Sequence, residues 1–240
     1  MSRILWCAFL IAVYPASVFA VFYGTPVSPG SHLVSLEIQG LGYCSGQFVA
    51  PDQLVTAAHC VSDSGEPVPL ERLRIKGIDG VMFRAVHVRV HPHFSRSHGV
   101  SHHDVAVITV AEEFEGQAPS LPRAAQPRFG RALLMGCGRV DYRSKKRRCQ
   151  QGQVLYARLL GHVVSVGWPK VLKKYGIGVA PNDSGGPIFS QSESQLFGVH
   201  WGTLYWPGSA IPLPVIGFST DVSSGENRMF LDEAMSRSKD

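Results

Sequence analysis

The 240-residue chain carries 23 Lys and Arg against 18 Asp and Glu, a formal net charge of +5, with 45% hydrophobic residues, 17% charged residues and 25 glycines. These values exclude a disordered, fibrous or strongly polyelectrolyte chain and describe a turn-rich globular one, long enough for one large all-β unit or two small packed barrels. At the amino end, Arg3 is followed by the apolar run Ile4 to Val13, then Pro15 and a Val18-Phe19-Ala20 ending. This pattern is that of a signal peptide over residues 1–20, cut after Ala20. The run is short for a bilayer, and no later stretch reaches the roughly 20 apolar residues that a transmembrane helix needs. The expected mature protein is secreted or periplasmic, without stable membrane insertion. Cleavage removes Arg3 and Cys7, leaving 22 basic against 18 acidic residues, a charge of +4, and four cysteines.

From Val21 onward, short alternating or apolar segments recur between turn signals: His32 to Ile38, Gly46 to Val49, Gln53 to Ala57, Leu73 to Lys76, Phe83 to Val90 and Val105 to Val110. Segments of this length and spacing predict antiparallel β structure. Gln117 to Gly130, with three prolines, has the composition of a linker between two halves. The pattern resumes in Ala132 to Met135, Gln153 to Leu160, Pro187 to Phe189, Leu196 to Trp201 and Val215 to Phe218. Helix signals are scarce until Ser224, after which a capped helix is predicted to about residue 236. The fold class is therefore all-β with a short C-terminal α-helix. The polar run Arg143-Ser144-Lys145-Lys146-Arg147-Arg148 reads as a solvated loop; no aromatic residue interleaves with it after Tyr142, so no nucleic-acid partner is expected.

Cys44, Cys60, Cys137 and Cys149, an even number in an exported chain, point to two disulfides and an oxidising compartment. Three pairings are possible; Cys44 with Cys60 and Cys137 with Cys149 are the near-neighbour ones, each closing a short loop. No Cys-x-x-Cys spacing supports zinc. His91, His93, His98, His102 and His103 lie on a polar stretch without the spacing that fixes a metal geometry, so neither metal nor cofactor is expected.

Nucleophilic hydrolysis of an amide needs a serine made reactive by a base, a group that orients the base, and donors for the developing oxyanion. Thr56-Ala57-Ala58-His59-Cys60 follows an apolar strand. Ser101-His102-His103-Asp104-Val105-Ala106-Val107-Ile108 opens another, and Asn182-Asp183-Ser184-Gly185-Gly186-Pro187 forms a glycine-rich turn. In this order, each in its own motif, the three resemble the chymotrypsin/trypsin-like serine proteases. Cys44-Ser45-Gly46, Val88-Arg89-Val90-His91-Pro92 and Val199-His200-Trp201-Gly202 extend the likeness over nearly the whole mature chain.

The resemblance implies two packed antiparallel six-stranded β-barrels in a single trypsin-like domain over 21–240: an N-terminal barrel at about 21–120, a C-terminal barrel at about 121–222 and a helix at about 224–236. Ser184 would be the nucleophile, His59 its base and Asp104 the group that orients His59. The backbone N–H groups of Asn182 and Ser184 would form the oxyanion hole, and the amine freed at Val21 would pair with Asp183. Gly178 would floor the substrate pocket, with Val179, His200, Trp201, Gly202 and Gly217 around it and the Trp206–Pro214 insertion at its entrance. No carboxylate occurs from Tyr175 to Asn182, so a basic P1 side chain would lack a partner. The near-neighbour disulfides Cys44–Cys60 and Cys137–Cys149 are expected, while the family's bridge to the Trp201 strand is missing because Ala180 offers no sulfur. A monomer acting on polypeptides is expected.

The intact triad argues against a rival reading, a silent homologue serving as a binding module, which two departures keep open. Asn182 stands where the family has glycine, and His200 where it has a serine supporting the catalytic aspartate. A third class, an esterase with the same triad, lacks the Gly-x-Ser-x-Gly elbow around Ser184.

Overall fold

The computed structural model describes residue 21 and residues 24–63, 65–122, 126–139, 145–167, 178–190, 195–204 and 215–236. The expected signal peptide, Arg143 and Ser144 of the basic run, and the Trp206–Pro214 insertion lie outside the described residues.

In chain order the first strands are β1 (Thr25–Pro26), β2 (Leu33–Ile38), β3 (Gly42–Ala50), β4 (Gln53–Thr56), β5 (Ser62–Asp63), β6 (Glu66–Pro67), β7 (Leu73–Gly77), β8 (Met82–Phe83) and β9 (Ala85–Val90). They are followed by β10 (Ser95–Ser97), β11 (Val100–His102), β12 (Ala106–Val110), β13 (Phe129–Gly136), β14 (Gln150–Leu159), β15 (His162–Gly167), β16 (Pro187–Phe189), β17 (Leu196–Leu204) and β18 (Val215–Asp221). One-turn helix α1 (Ala58–Val61) follows β4, and α2 (Gly225–Ser236) follows β18.

The named strands pair antiparallel throughout, in two seven-stranded barrel-like sheets and two separate two-stranded ribbons, β5-β6 and β10-β11. The first runs β8-β7-β2-β3-β4-β12-β9, seven strands that nearly close. The second runs β1-β14-β13-β16-β17-β18-β15, and pairing of β14 with β15 closes six of its strands into a barrel, leaving β1 as an outer addition. The seventh strand of the first sheet is the short β8, which a turn folds back onto β7: Gly77 N–H donates to Val81 O at 2.8 Å, and Val81 N–H to Asp79 Oδ1 at 3.1 Å.

Strand alternation explains which side chains go inside. In β7, Leu73 and Ile75 are buried while Arg74 and Lys76 face water; in β14, Val154 and Tyr156 are buried between exposed Gln153, Leu155 and Ala157. This is the period of two that pleated backbone imposes. Strand β13 uses both faces. Ala132 and Leu134 enter the apolar cluster inside the second barrel, together with Val154, Val163, Ile188 and Phe197. Leu133 and Met135, pointing the other way, join the cluster that fills the first barrel. One strand thus builds both cores and the apolar seam between them.

Helix α2 also crosses that seam. Asn227, Phe230, Leu231 and Ala234 are its buried residues, spaced three or four apart on one stripe, and the last three belong to the first barrel's cluster. The Gln53 amide of β4 donates to Met235 O at 3.4 Å, and Arg89 of β9 pairs with Glu233 at 3.3 Å. The proline-bearing linker is likewise tied down, because Leu196 N–H of β17 donates to Ser120 O at 3.0 Å.

Leu231 is 0% exposed and Met229, on the opposite face, 64% exposed. Leu231→Ala should therefore cost about 2–5 kcal/mol through lost transfer and a residual cavity, and Met229→Ala no more than about 0.5 kcal/mol. Chemical denaturation of the two variants measures both.

Candidate active site

Strand β4 delivers His59. Its four residues are all buried, and the chain then turns once through α1, whose Ala58, Cys60 and Val61 are buried and whose His59 remains 18% exposed. Strand β12 pairs with β4 in the register Ala106↔Thr56, which places Asp104, two residues before Ala106, beside His59, three residues after Thr56. Asp104 is wholly buried. Its Oδ1 accepts the main-chain N–H of His59 at 2.9 Å, and its Oδ2 lies 2.7 Å from His59 Nδ1. Thr220 Oγ1 of β18 donates to Asp104 O at 3.2 Å and ties the acid to the second barrel. Two donors on the carboxylate offset a desolvation that an unpaired charge could not sustain. They also fix the tautomer: with Nδ1–H committed to Asp104, Nε2 carries the lone pair.

The serine turn docks on the first barrel through Ser45 of β3. Ser45 N–H donates to Ser184 O at 2.7 Å and Ser45 Oγ to Asn182 O at 3.3 Å. Ser45 Oγ in turn accepts Cys137 N–H at 2.8 Å, and Ser45 O accepts Thr56 Oγ1 at 2.7 Å. Gly185, with φ +82°, lies so close that a Cβ there would overlap the Ser45 carbonyl oxygen and Thr56 Oγ1. Gly185 N–H donates to His200 O at 2.7 Å, and His200 N–H to Gly186 O at 2.9 Å. Among the described residues, no side-chain hydrogen bond joins Ser184 to His59, whose Nε2 has Cys60 Sγ at 3.7 Å; bonds of this kind often tighten only in the substrate complex.

Asn182 takes a left-handed φ of 76°, a conformation that asparagine tolerates better than most residues. Its side-chain amide donates to Tyr43 O at 3.1 Å, and Arg147 of the basic run lies over the Tyr43 ring at 3.0 Å from its centroid. That run is therefore anchored on the protein at Arg147.

Asp183 is wholly buried. Gly138 N–H donates to its Oδ1 at 2.8 Å and Ala180 N–H to its Oδ2 at 2.7 Å. Burial nevertheless outweighs these bonds and pushes its pKa up to about 7. Among the described residues, no ion pair to Asp183 is formed. Val21 is 0% exposed and packs in the second barrel's cluster with Val179, four positions before Asp183.

His200 is buried, and its pKa is pushed down to about 3, first by that burial and then by the neighbouring His59; Asp104 acts in the opposite direction. It is neutral, with Nε2 at 3.2 Å from Thr203 Oγ1 and Nδ1 at 3.5 Å from Ser219 Oγ. The serine expected to support Asp104 is thus replaced by an imidazole bonded elsewhere.

The two glycines expected to wall a roomy pocket differ. A Cβ on Gly202 would have nothing within 4 Å, whereas one on Gly217 would lie 2.5 Å from Val179 Cγ2 and 2.5 Å from Ser165 Oγ. Val179, itself 1% exposed, occupies the space beside Gly217. Gly178 is buried next to it, and Trp201, 6% exposed, stacks on Phe218 at 5.4 Å. The linchpin role of Ser45 was not legible beforehand, although the Cys44-Ser45-Gly46 motif marked the place.

Two disulfides are present, Cys44–Cys60 and Cys137–Cys149. The first joins β3 to α1, within one residue of both Ser45 and His59. Such bonds are compatible with an extracellular or periplasmic protein. Among the described residues, no helix is long and apolar enough to cross a membrane.

Two antiparallel barrels with a buried acid beside a histidine, and a glycine-bounded serine turn docked between them, describe the trypsin-like serine protease class. Residues 44–199 match the family model of the trypsin-like peptidase domain. The chain belongs to this family.

Gly185→Ala should cost roughly 2–5 kcal/mol, from the left-handed φ and the overlap with β3 and β4, while Gly202→Ala should leave stability within about 0.5 kcal/mol; denaturant melts of both distinguish the sites. A second expectation concerns Asp183, whose folded pKa of about 7 stands above its ordinary value of 3.8. A raised carboxyl pKa means that the neutral form stabilises the fold, fully so below about pH 4, and that this contribution is lost as pH rises through about 7. Protein extended before Val21 should lose stability across that window, and Asp183→Asn should flatten this part of the profile in thermal melts taken across pH.

Proposed function

We propose that this chain is a secreted serine endopeptidase that cleaves peptide bonds through Ser184, His59 and Asp104 by way of an acyl-enzyme. The observation that carries this reading is the double grip of buried Asp104 on His59, which holds the Nδ1 proton and so places the lone pair of the neutral ring on Nε2, where a base is needed. Ser184 Oγ attacks the scissile carbonyl as Nε2 takes its proton, and Asp104 stabilises the imidazolium. The same proton then goes to the leaving amine. Water, deprotonated by His59, releases the acyl group and restores Ser184.

The oxyanion is received by the N–H groups of Asn182 and Ser184. Two observations support a competent hole despite the asparagine. The carbonyl of Pro181 accepts Arg139 N–H at 2.9 Å, and in a planar trans peptide the N–H of Asn182 points the opposite way, so the unit is held against flipping. Among the described residues, neither the Asn182 nor the Ser184 N–H donates to another backbone oxygen. Both remain available to a developing charge, where each such donor is worth about 2.7–4 kcal/mol.

Cleavage after Ala20 would free the Val21 amine. Its ammonium supplies the cation that buried Asp183 lacks, and the pair fixes the turn that carries both oxyanion donors. Val179 beside Gly217, with no carboxylate from Gly178 to Asn182, favours a non-basic P1 side chain.

The buried neutral His200 beside the triad favours a second reading, a weak or silent homologue that binds polypeptide without cleaving it. A serine-reactive phosphonate with peptide mass mapping separates the two. Mature wild-type protein should be labelled on Ser184, and alanine at Ser184, His59 or Asp104 should lower kcat/KM on peptides by at least about 10³-fold, with strongly non-additive double mutants. Absence of labelling, or more than roughly a tenth of the activity in Ser184→Ala, refutes the endopeptidase.

A further inference from the structure

Two of the histidines that show no metal-binding spacing in the sequence, His93 and His103, are brought together by the fold. His93 lies in the turn after β9, His103 immediately before Asp104, and Glu226 in the first turn of α2. One ligand atom from each lies within 4.8 Å of the other two. Glu226 Oε2 is 3.1 Å from His93 Nδ1 and 3.6 Å from His103 Nε2.

The surrounding hydrogen bonds decide which of these atoms carry lone pairs. Asn227 Nδ2 donates to Asp221 O at 2.9 Å, so the amide of Asn227 presents Oδ1 to His103, 2.8 Å from its Nδ1. An oxygen without a hydrogen requires a donor there, and His103 Nδ1 therefore carries the proton. In the neutral ring Nε2 then aims its lone pair at a carboxylate oxygen, and a positive charge between the two, a proton on the ring or a metal ion in its place, satisfies both.

His91 backs the group. It accepts the main-chain N–H of His93 at 3.1 Å and stacks on His103 with centroids 4.7 Å apart. Its own pKa is pushed down to about 4, by burial first and then by His103, so it adds no positive charge. The Glu226 carboxyl is held below its usual range, chiefly by its bond to His93.

We propose that His93, His103 and Glu226 form a binding site for a borderline divalent transition metal, for which Zn²⁺ is the probe. Tetrahedral coordination at about 2.0–2.2 Å sets neighbouring ligand atoms roughly 3.3–3.5 Å apart, and the two measured separations bracket this range. The remaining edge, between the two histidines, closes by rotation of His93, whose side chain is 65% exposed. The bond from His103 Nδ1 to Asn227 is the outer-shell contact that typically fixes the tautomer of a ligating histidine. Two nitrogens and one oxygen suit zinc better than calcium or magnesium, which take oxygen ligands. Water completes the shell, so binding is weaker than in a closed four-ligand site.

The other close-set group, Cys44, His59 and Cys60, is no rival, because both sulfurs are consumed in a disulfide. A metal at the proposed site would tie the start of α2 to the residue preceding Asp104. His103 faces the helix, while the Asp104 carboxylate faces His59.

Isothermal titration of ZnCl₂ into the purified protein at neutral pH should give one ion per chain, with no heat from CaCl₂ or MgCl₂. His93→Ala and Glu226→Gln, both at exposed side chains, should each weaken binding at least about tenfold, and His59→Ala should leave it intact. Zn²⁺ should also raise the melting temperature of wild-type protein but not of Glu226→Gln. Absence of binding overturns the proposal. So does binding that survives both ligand substitutions, or binding that disappears in His59→Ala, which would place the ion at the triad.

Discussion

Ser45 is held by both barrels at once, and the rest of the site depends on that grip. Its backbone N–H reaches the carbonyl of Ser184, its hydroxyl bridges Asn182 O and Cys137 N–H, and its carbonyl takes the Thr56 hydroxyl. Each contact is an ordinary hydrogen bond with a net worth of about 1 kcal/mol. Their value lies in convergence: β3, β4, the serine turn and the end of β13 are positioned relative to one residue, which leaves the turn little freedom to slide. The disulfide from neighbouring Cys44 to Cys60 extends the constraint to the residue after His59. Gly185 is the necessary counterpart, because any side chain there would force the barrels apart.

Two buried carboxylates divide the electrostatic roles. Asp104 receives a backbone N–H and an imidazole N–H that can itself become charged, so it sits beside a group able to share its charge. Asp183 receives two backbone N–H groups and no cation among the described residues, and burial drives it toward neutrality. Gly136 and Gly138 press against its carboxylate closely enough that a Cβ on either would overlap it. A site so tightly closed is ready for a compact charge and excludes a long side chain. His200, between the triad and Gly217, stays neutral and acts through shape and hydrogen bonding.

Local signals in the sequence carried the fold class, most strands, helix α2 and the neighbourhoods of His59, Asp104 and Ser184, because a strand's alternation, a helix's stripe and a glycine turn are written within a few consecutive residues. What depends on register was not legible. Gly202 and Gly217 look alike in the chain, and only the pairing of β18 with β15 sets Ser165 against the second of them, where Val179 from the segment before the serine turn also packs. The extra strand β8 is only two residues long, and although Asp79-Gly80 marks the turn before it, nothing local says that Met82 and Phe83 pair back onto β7. The meeting of His93 and His103 with Glu226 joins residues far apart in the chain, through the packing of α2 on the first barrel. No spacing rule could have announced it.

That packing has a consequence for the order of events during synthesis. Strands β4, β9 and β12 leave the ribosome long before α2, yet Phe230, Leu231 and Ala234 fill part of their core. Until those residues emerge, the first barrel carries an apolar patch open to water, and it is in this state that a large β protein is most exposed to aggregation. The nascent chain thus completes its first barrel last, and an escorting factor that shields this patch during translation would act on a surface the finished protein no longer presents.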